Sequence, residues 1–133
     1  HFIGAVGLTV TFLIAAFVLA PEGGIAYYFL NDVAPINHFI GPLLSMISLL
    51  FLEKTERLSL STIIWPAVAS LTYGAIALVL NAVRIMDGPY FFLKVYEQSA
   101  GVIILWFAII AVLCLGLALL YYKIKWRKRE VNQ

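Results

Sequence analysis

The 133 residues are 63% hydrophobic and only 12% charged, with a formal net charge of +2. Soluble domains run at roughly 45–50% and 25%, so this chain has too little polar surface to cover a core in water, and lipid is the fitting solvent. Long apolar runs without alternation exclude a β-barrel, and the single cysteine, Cys114, excludes a disulfide framework, a zinc motif or a haem motif.

The expected fold class is therefore all-α, a polytopic transmembrane bundle of about four helices in a single membrane domain. The first apolar run is 2–20, closed by Pro21-Glu22-Gly23-Gly24. No basic segment precedes it and no A-x-A-like site follows, so it is not read as a signal peptide. The chain begins at His1 and not Met, as a processed, trimmed or partial chain would. The second run, 35–52, is the shortest. Pro42 interrupts it, which predicts a kink or a re-entrant path. The third run, 61–83, follows the cap residues Ser59 and Ser61 and carries Pro66 near its start, where a missing N–H is least harmful. The fourth run is 99–122, followed by a basic tail, 123–133. Each run has about 18–24 residues, and about 20 cross roughly 30 Å of hydrocarbon.

Orientation follows from the basic residues. Five of the nine Lys and Arg fall between Lys123 and Arg129, and the loop after the second run adds Lys54 and Arg57. The opposite side holds only Arg84 and Lys94. This predicts a multi-pass protein of the cell membrane with its C-terminus, and its N-terminus, cytoplasmic. Tyr121, Tyr122 and Trp126 would mark the inner interface and Tyr27, Tyr28 and Tyr90 the outer one. The tail is read as the topology determinant and a contact for anionic lipid, with no nucleic-acid partner.

Small residues recur every three or four positions: Gly4, Gly7, Thr11 and Ala15 in the first run; His38, Gly41, Ser45 and Ser48 in the second; Ser70, Gly74, Ala77 and Asn81 in the third. Such stripes let helix backbones approach closely in lipid. The unusual polar residues gather on the outer side. His38 lies one turn inside the second run with Asn37 beside it. Asn81 and Arg84 end the third, and Asp87 and Tyr90 follow. Ionisable groups at membrane depth tend to face a cavity or a partner. His38 is the candidate general base for a hydroxyl nucleophile, with Asn81 or Tyr90 to orient it or to donate to an oxyanion. Asn37, Asn81, Arg84 and Tyr90 are the candidate binding residues. Plain structural roles stand beside these: an interfacial histidine bonded to a carbonyl, a snorkelling arginine, an asparagine joining helices. Thr9, Thr11, Ser45 and Ser99 are the hydroxyls considered, and none is an evident nucleophile. No metal cluster, acid pair, phosphate loop or cofactor motif is present.

The segment Asn37-His38-Phe39-Ile40-Gly41-Pro42, with its helix ending at Glu53, resembles the His-containing helix of the androgen-induced, androgen-dependent-TFPI-regulating membrane family. Gly88-Pro89-Tyr90-Phe91-Phe92-Leu93 resembles that family's YPFL segment before its last helix. Leu8-Thr9-Val10-Thr11-Phe12-Leu13 through Leu19-Ala20-Pro21, with Tyr73-Gly74 and Asn81, is also similar to membrane proteins of Gram-positive bacteria. The resemblance implies six helices, of which these are the last four, and hydrolysis of fatty-acid esters of hydroxy fatty acids by an intramembrane Thr and a His. The His corresponds to His38; the Thr belongs to an earlier helix with no matching position here. The expected function is thus a membrane lipid-ester hydrolase or its C-terminal portion, with membrane lipid and missing N-terminal helices as partners. The alternatives are a non-catalytic subunit packing against another membrane protein and, more weakly, a transporter subunit.

Overall fold

The computed structural model describes residues 1–54 and 56–130, without the side chains of Glu22 and 127–130. The loop charge of Glu22 and the tail charges Arg127, Lys128 and Arg129 therefore lie outside the described side chains. The described residues form an all-α bundle, as the apolar runs require.

Helix α1 starts as an α-helix over Phe2–Ile14, widens to a π-helical stretch over Ala15–Leu19 and ends over Ala20–Gly23. Gly24, at φ 89°, breaks the path as L side chains rarely can, and the short α2, Ile25–Phe29, follows. Helix α3, Ile36–Leu52, has π-helical ends, Ile36–Ile40 and Ser48–Leu52, around an α-helical centre. The expected irregularity at Pro42 takes this form. Pro42 has no N–H to offer the carbonyl of His38, and the wider turn lies just before it. Helix α4, Leu60–Ala82, opens with a 3₁₀ stretch and seats Pro66 at its first α-helical turn. Ser59 bonds to the hydroxyls of Ser61 and Thr62 instead of capping through its side chain. A loop containing the 3₁₀ turn Phe91–Leu93 leads to α5, Ala100–Glu130. Ser99 Oγ accepts from Val102 N–H at 3.3 Å, a true N-cap.

Three helical stretches, Phe2–Leu19, Leu60–Ala82 and Ala100–Trp126, are long and apolar enough to cross a bilayer, and Ile36–Leu52 is a shorter apolar helix. Large apolar side chains point outward along them, including Phe17 (74% exposed), Ile104 (69%) and Val112 (70%). In water that surface would aggregate; in hydrocarbon it is neutral. The chain is a membrane protein.

Antiparallel packing puts the start of α1, the end of α3 and the end of α5 at one end of the bundle, here the tail end. There Phe2, Val6, Leu49, Tyr121, Tyr122 and Trp126 form one core cluster. One expectation is corrected here. Helix continues through Lys123–Trp126, where a tail was expected, because Lys125 and Trp126 are buried. Tyr121, Tyr122 and Trp126 pack inside this end of the bundle; each is at most 8% exposed. Their polar atoms fasten the loop after α3: Trp126 Nε1–H donates to the Glu56 carbonyl at 3.2 Å and the Tyr122 hydroxyl to the Leu58 carbonyl at 3.0 Å. Lys125 Nζ donates to the Leu49 carbonyl at 2.7 Å and reaches Glu53 Oε2 at 3.4 Å. The second cluster, at mid-bundle and toward the far end, centres on Ile14, Ala77, Phe92, Leu93 and Cys114.

Candidate functional site

At the far end, α2, the start of α3 and the loop after α4 enclose a cup of about 370 Å³. Tyr27, Tyr28, Asn37, His38 and Tyr90 are among its walls. His38 is half-buried, and its Nδ1 lies 2.8 Å from the Tyr28 carbonyl. A carbonyl only accepts, so Nδ1 carries the proton and Nε2 is the basic nitrogen. The Tyr28 carbonyl is available because α2 is barely more than one turn long, and the last carbonyls of a helix have no partner within it. Among the described residues Nε2 has no hydrogen-bond partner. The rings of Tyr28 and Phe29 stand 6.2 and 6.3 Å from the imidazole and fix its plane.

Tyr90 enters the cup from the loop after α4. Its ring stacks on Phe92 at 5.3 Å, and Phe92 stacks on Trp106 of α5 at 4.6 Å. This aromatic column sets the height of the loop. Gly88 allows the turn before it: a Cβ there would lie 2.8 Å from the carbonyl carbon and oxygen of Leu93. Burial raises the Tyr90 phenol above its ordinary range, with smaller contributions from Tyr73 and Tyr28. It is therefore a neutral O–H donor at physiological pH, and the hydroxyl has no hydrogen-bond partner among the described residues.

Asn81 and Arg84 are not in the cup. Asn81 is 7% exposed, and both ends of its amide are engaged by the loop: Nδ2–H donates to the Met86 carbonyl at 3.1 Å, and Oδ1 accepts from Val95 N–H at 2.8 Å. Its role here is to staple the 83–99 loop. Arg84 takes the left-handed conformation, φ 59°, just past the end of α4, and its guanidinium lies 5.0 Å from the Tyr96 ring centre. Arg84, Asn81 and Asp87 line a separate polar hollow. The structure thus brings together His38, Asn37 and Tyr90 and sets Asn81 and Arg84 apart. Of the hydroxyls considered, Thr9 pairs with Tyr121 at 2.7 Å, Thr11 donates to the Gly7 carbonyl at 3.1 Å and Ser99 caps α5; none lines the cup.

One constellation was not visible in the sequence. At the tail end the His1 ring joins a side chain of α3 and one just past its end, with Nε2 3.0 Å from Ser45 Oγ and Nδ1 3.0 Å from Glu53 Oε1. Only the antiparallel pairing of α1 and α3 brings residues 44 and 52 positions apart together. Among the described residues no group of three or more His, Cys, Asp or Glu could hold a metal. No family model matches the chain, and no curated protein or solved structure matches it.

Proposed function

We propose that the chain is a lipid-handling hydrolase of the cell membrane, or the part of one that carries the general base. The basic tail lies on the cytoplasmic side and the cup opens at the outer leaflet. The observation that carries this reading is the tautomer of His38: with Nδ1–H held by the Tyr28 carbonyl, the basic Nε2 is left for the cup. The substrate is an ester of a long acyl chain whose polar part enters the cup from the bilayer. Nε2 takes a proton from water as the water oxygen bonds to the ester carbonyl carbon. The Tyr90 O–H donates to the oxygen that becomes negative. When the C–O bond to the leaving alkoxide breaks, the imidazolium returns the proton to it, giving a fatty acid and an alcohol. In the family whose His-containing helix residues 37–42 resemble, a threonine on an earlier helix works with the His.

The test is ester turnover by the purified protein in lipid nanodiscs, comparing wild type with His38→Asn and Tyr90→Phe. An asparagine amide keeps a donor near the position of Nδ1 and removes Nε2, so the fold survives while kcat/KM falls by about 10²–10⁴. Turnover by His38→Asn equal to wild type would end the hydrolase reading. The second reading, a non-catalytic subunit, draws on the open small-residue stripe of α1; a stoichiometric partner that co-purifies in mild detergent would favour it.

A further inference from the structure

A second cavity, also of about 370 Å³, lies between α1 and α4 over α5. Gly4, Gly7 and Thr11 form one wall, Ser70 and Gly74 the other, and Tyr90 its upper rim. The small residues are not there for close helix contact throughout. A Cβ added at Gly4 or Gly7 would meet nothing within 4 Å, whereas one at Gly74 would stand 3.0 Å from Phe107 Cζ. The α1 stripe therefore borders a void. Water does not suit it, because a buried water needs two to four polar partners. Most of its lining is apolar, and of its hydroxyls Thr11 already donates to the Gly7 carbonyl and Ser70 accepts from Cys114.

Two features identify the occupant. Tyr90 lines both this groove and the cup, so its ring stands between the two spaces. The apolar crevice on the other face of α1, around Phe12, Pro42 and Met46, shares no lining residue with the cup. One polar chamber thus adjoins one apolar channel, the shape of an amphiphile with a single chain. From Ile14 to Ile3 the groove follows α1 for about 16 Å at 1.5 Å per residue. Ile3 lies near the start of α1, so the groove runs from mid-bundle toward the tail end, away from the cup. A helix of that length and about 10 Å across would displace on the order of 1,200 Å³, far more than the void.

We propose that this groove binds the acyl chain of a single-chain amphiphile whose head sits in the cup between His38 and Tyr90, and that Gly7 and Gly4 set the longest chain accepted. The proposal rests on the cup being a substrate site, as in the hydrolase reading, but does not require turnover. A leucine at position 7 closes the groove about 10 Å below the level of Ile14, and one at position 4 about 15 Å below it.

The experiment is native mass spectrometry of the full chain in mild detergent with saturated monoacylglycerols from decanoyl to octadecanoyl. Wild type, Gly7→Leu, Gly4→Leu and the lipid-facing control Val112→Leu are compared, each first shown to unfold at wild-type temperature. Should Gly7→Leu not fold, Gly7→Cys alkylated with a short maleimide blocks the same level. The expected result is one bound lipid per chain. Gly7→Leu weakens the longest chains by at least about tenfold and leaves decanoyl binding unchanged, Gly4→Leu affects only the longest, and the control affects none. Equal weakening at every length, no dependence on length, or crosslinking of Gly7→Cys to a co-purified polypeptide would overturn the proposal. Length-dependent binding without ester turnover would instead leave the groove standing and remove the hydrolase reading.

Discussion

Replacing Asn81 by alanine separates a loop staple from a substrate-binding amide. The substitution keeps Cβ, so it opens little space, but it removes two hydrogen bonds from a side chain that is 7% exposed. A hydrogen bond contributes about 0.5–1.5 kcal/mol net, and a buried backbone group left without a partner costs about 1–3 kcal/mol. Bonds between membrane helices average less, about 0.6 kcal/mol. The Asn81 partners, however, are the Met86 carbonyl and Val95 N–H of a loop fixed by its backbone. The expected loss is therefore about 2 kcal/mol, between the two limits. Equilibrium unfolding in mixed micelles of rising dodecyl sulfate, read by tryptophan fluorescence, measures it. Amide exchange gives a local reading: Val95 N–H should lose roughly thirtyfold in protection, since 1.4 kcal/mol is a factor of ten. Asn81→Asp keeps an acceptor for Val95 but turns a carboxylate oxygen toward the Met86 carbonyl, and should be no more stable than Asn81→Ala. If Asn81→Ala costs under about 0.5 kcal/mol with Val95 still protected, the staple assignment is wrong.

Lys125→Met should destabilise by about 3 kcal/mol in the same assay, because the Leu49 carbonyl and Glu53 both lose a partner. Adding Glu53→Gln should then cost less than it does alone, since the two side chains share one contact. The raised phenol of Tyr90 predicts alkaline sensitivity. The unfolded chain ionises near pH 10 while the folded one resists, so this contribution to stability is complete below about pH 10 and is lost above it. Thermal unfolding of Tyr90→Phe should fall less steeply over that window than wild type. Arg84→Gly should stabilise by up to about 1 kcal/mol in micelles by relieving the left-handed backbone, less the interaction with Tyr96. A clear loss would show that the cation's contact outweighs the strain. Gly88→Ala should destabilise by about 1–3 kcal/mol and lower ester binding as well, because its Cβ would press on the Leu93 backbone that positions Tyr90.

The helices were legible because apolar runs of this length have few other structures open to them, and their observed spans lie close to the expected 2–20, 35–52 and 61–83. The fourth ran on past its expected end for a physical reason. Lys123–Trp126 reads as polar tail by composition, yet Trp126 and the stem of Lys125 are covered by α1 and the loop after α3. The placement of His38 and Tyr90 toward one end followed from counting crossings. Their meeting in one cup depended on α2, whose free carbonyl at Tyr28 has no mark in the residue types. Polarity at membrane depth marks Asn81 as a candidate, and that same polarity serves backbone groups of a loop, a partner that spacing cannot show. The π-helical turns flanking the centre of α3 and the left-handed Arg84 were illegible for the same reason: both are backbone adjustments to tertiary packing.

The Lys125–Glu53 contact closes the tail end of the bundle. Beneath it Phe2, Val6, Leu49 and Trp126 are each at most 5% exposed, so one rim of the molecule is stoppered by an ion pair set on a plug of dry side chains. The opposite rim carries the only chamber that joins His38 to Tyr90 among the described residues. Charge at the tail end thus sits on dry packing, while at the far end polar side chains border open space.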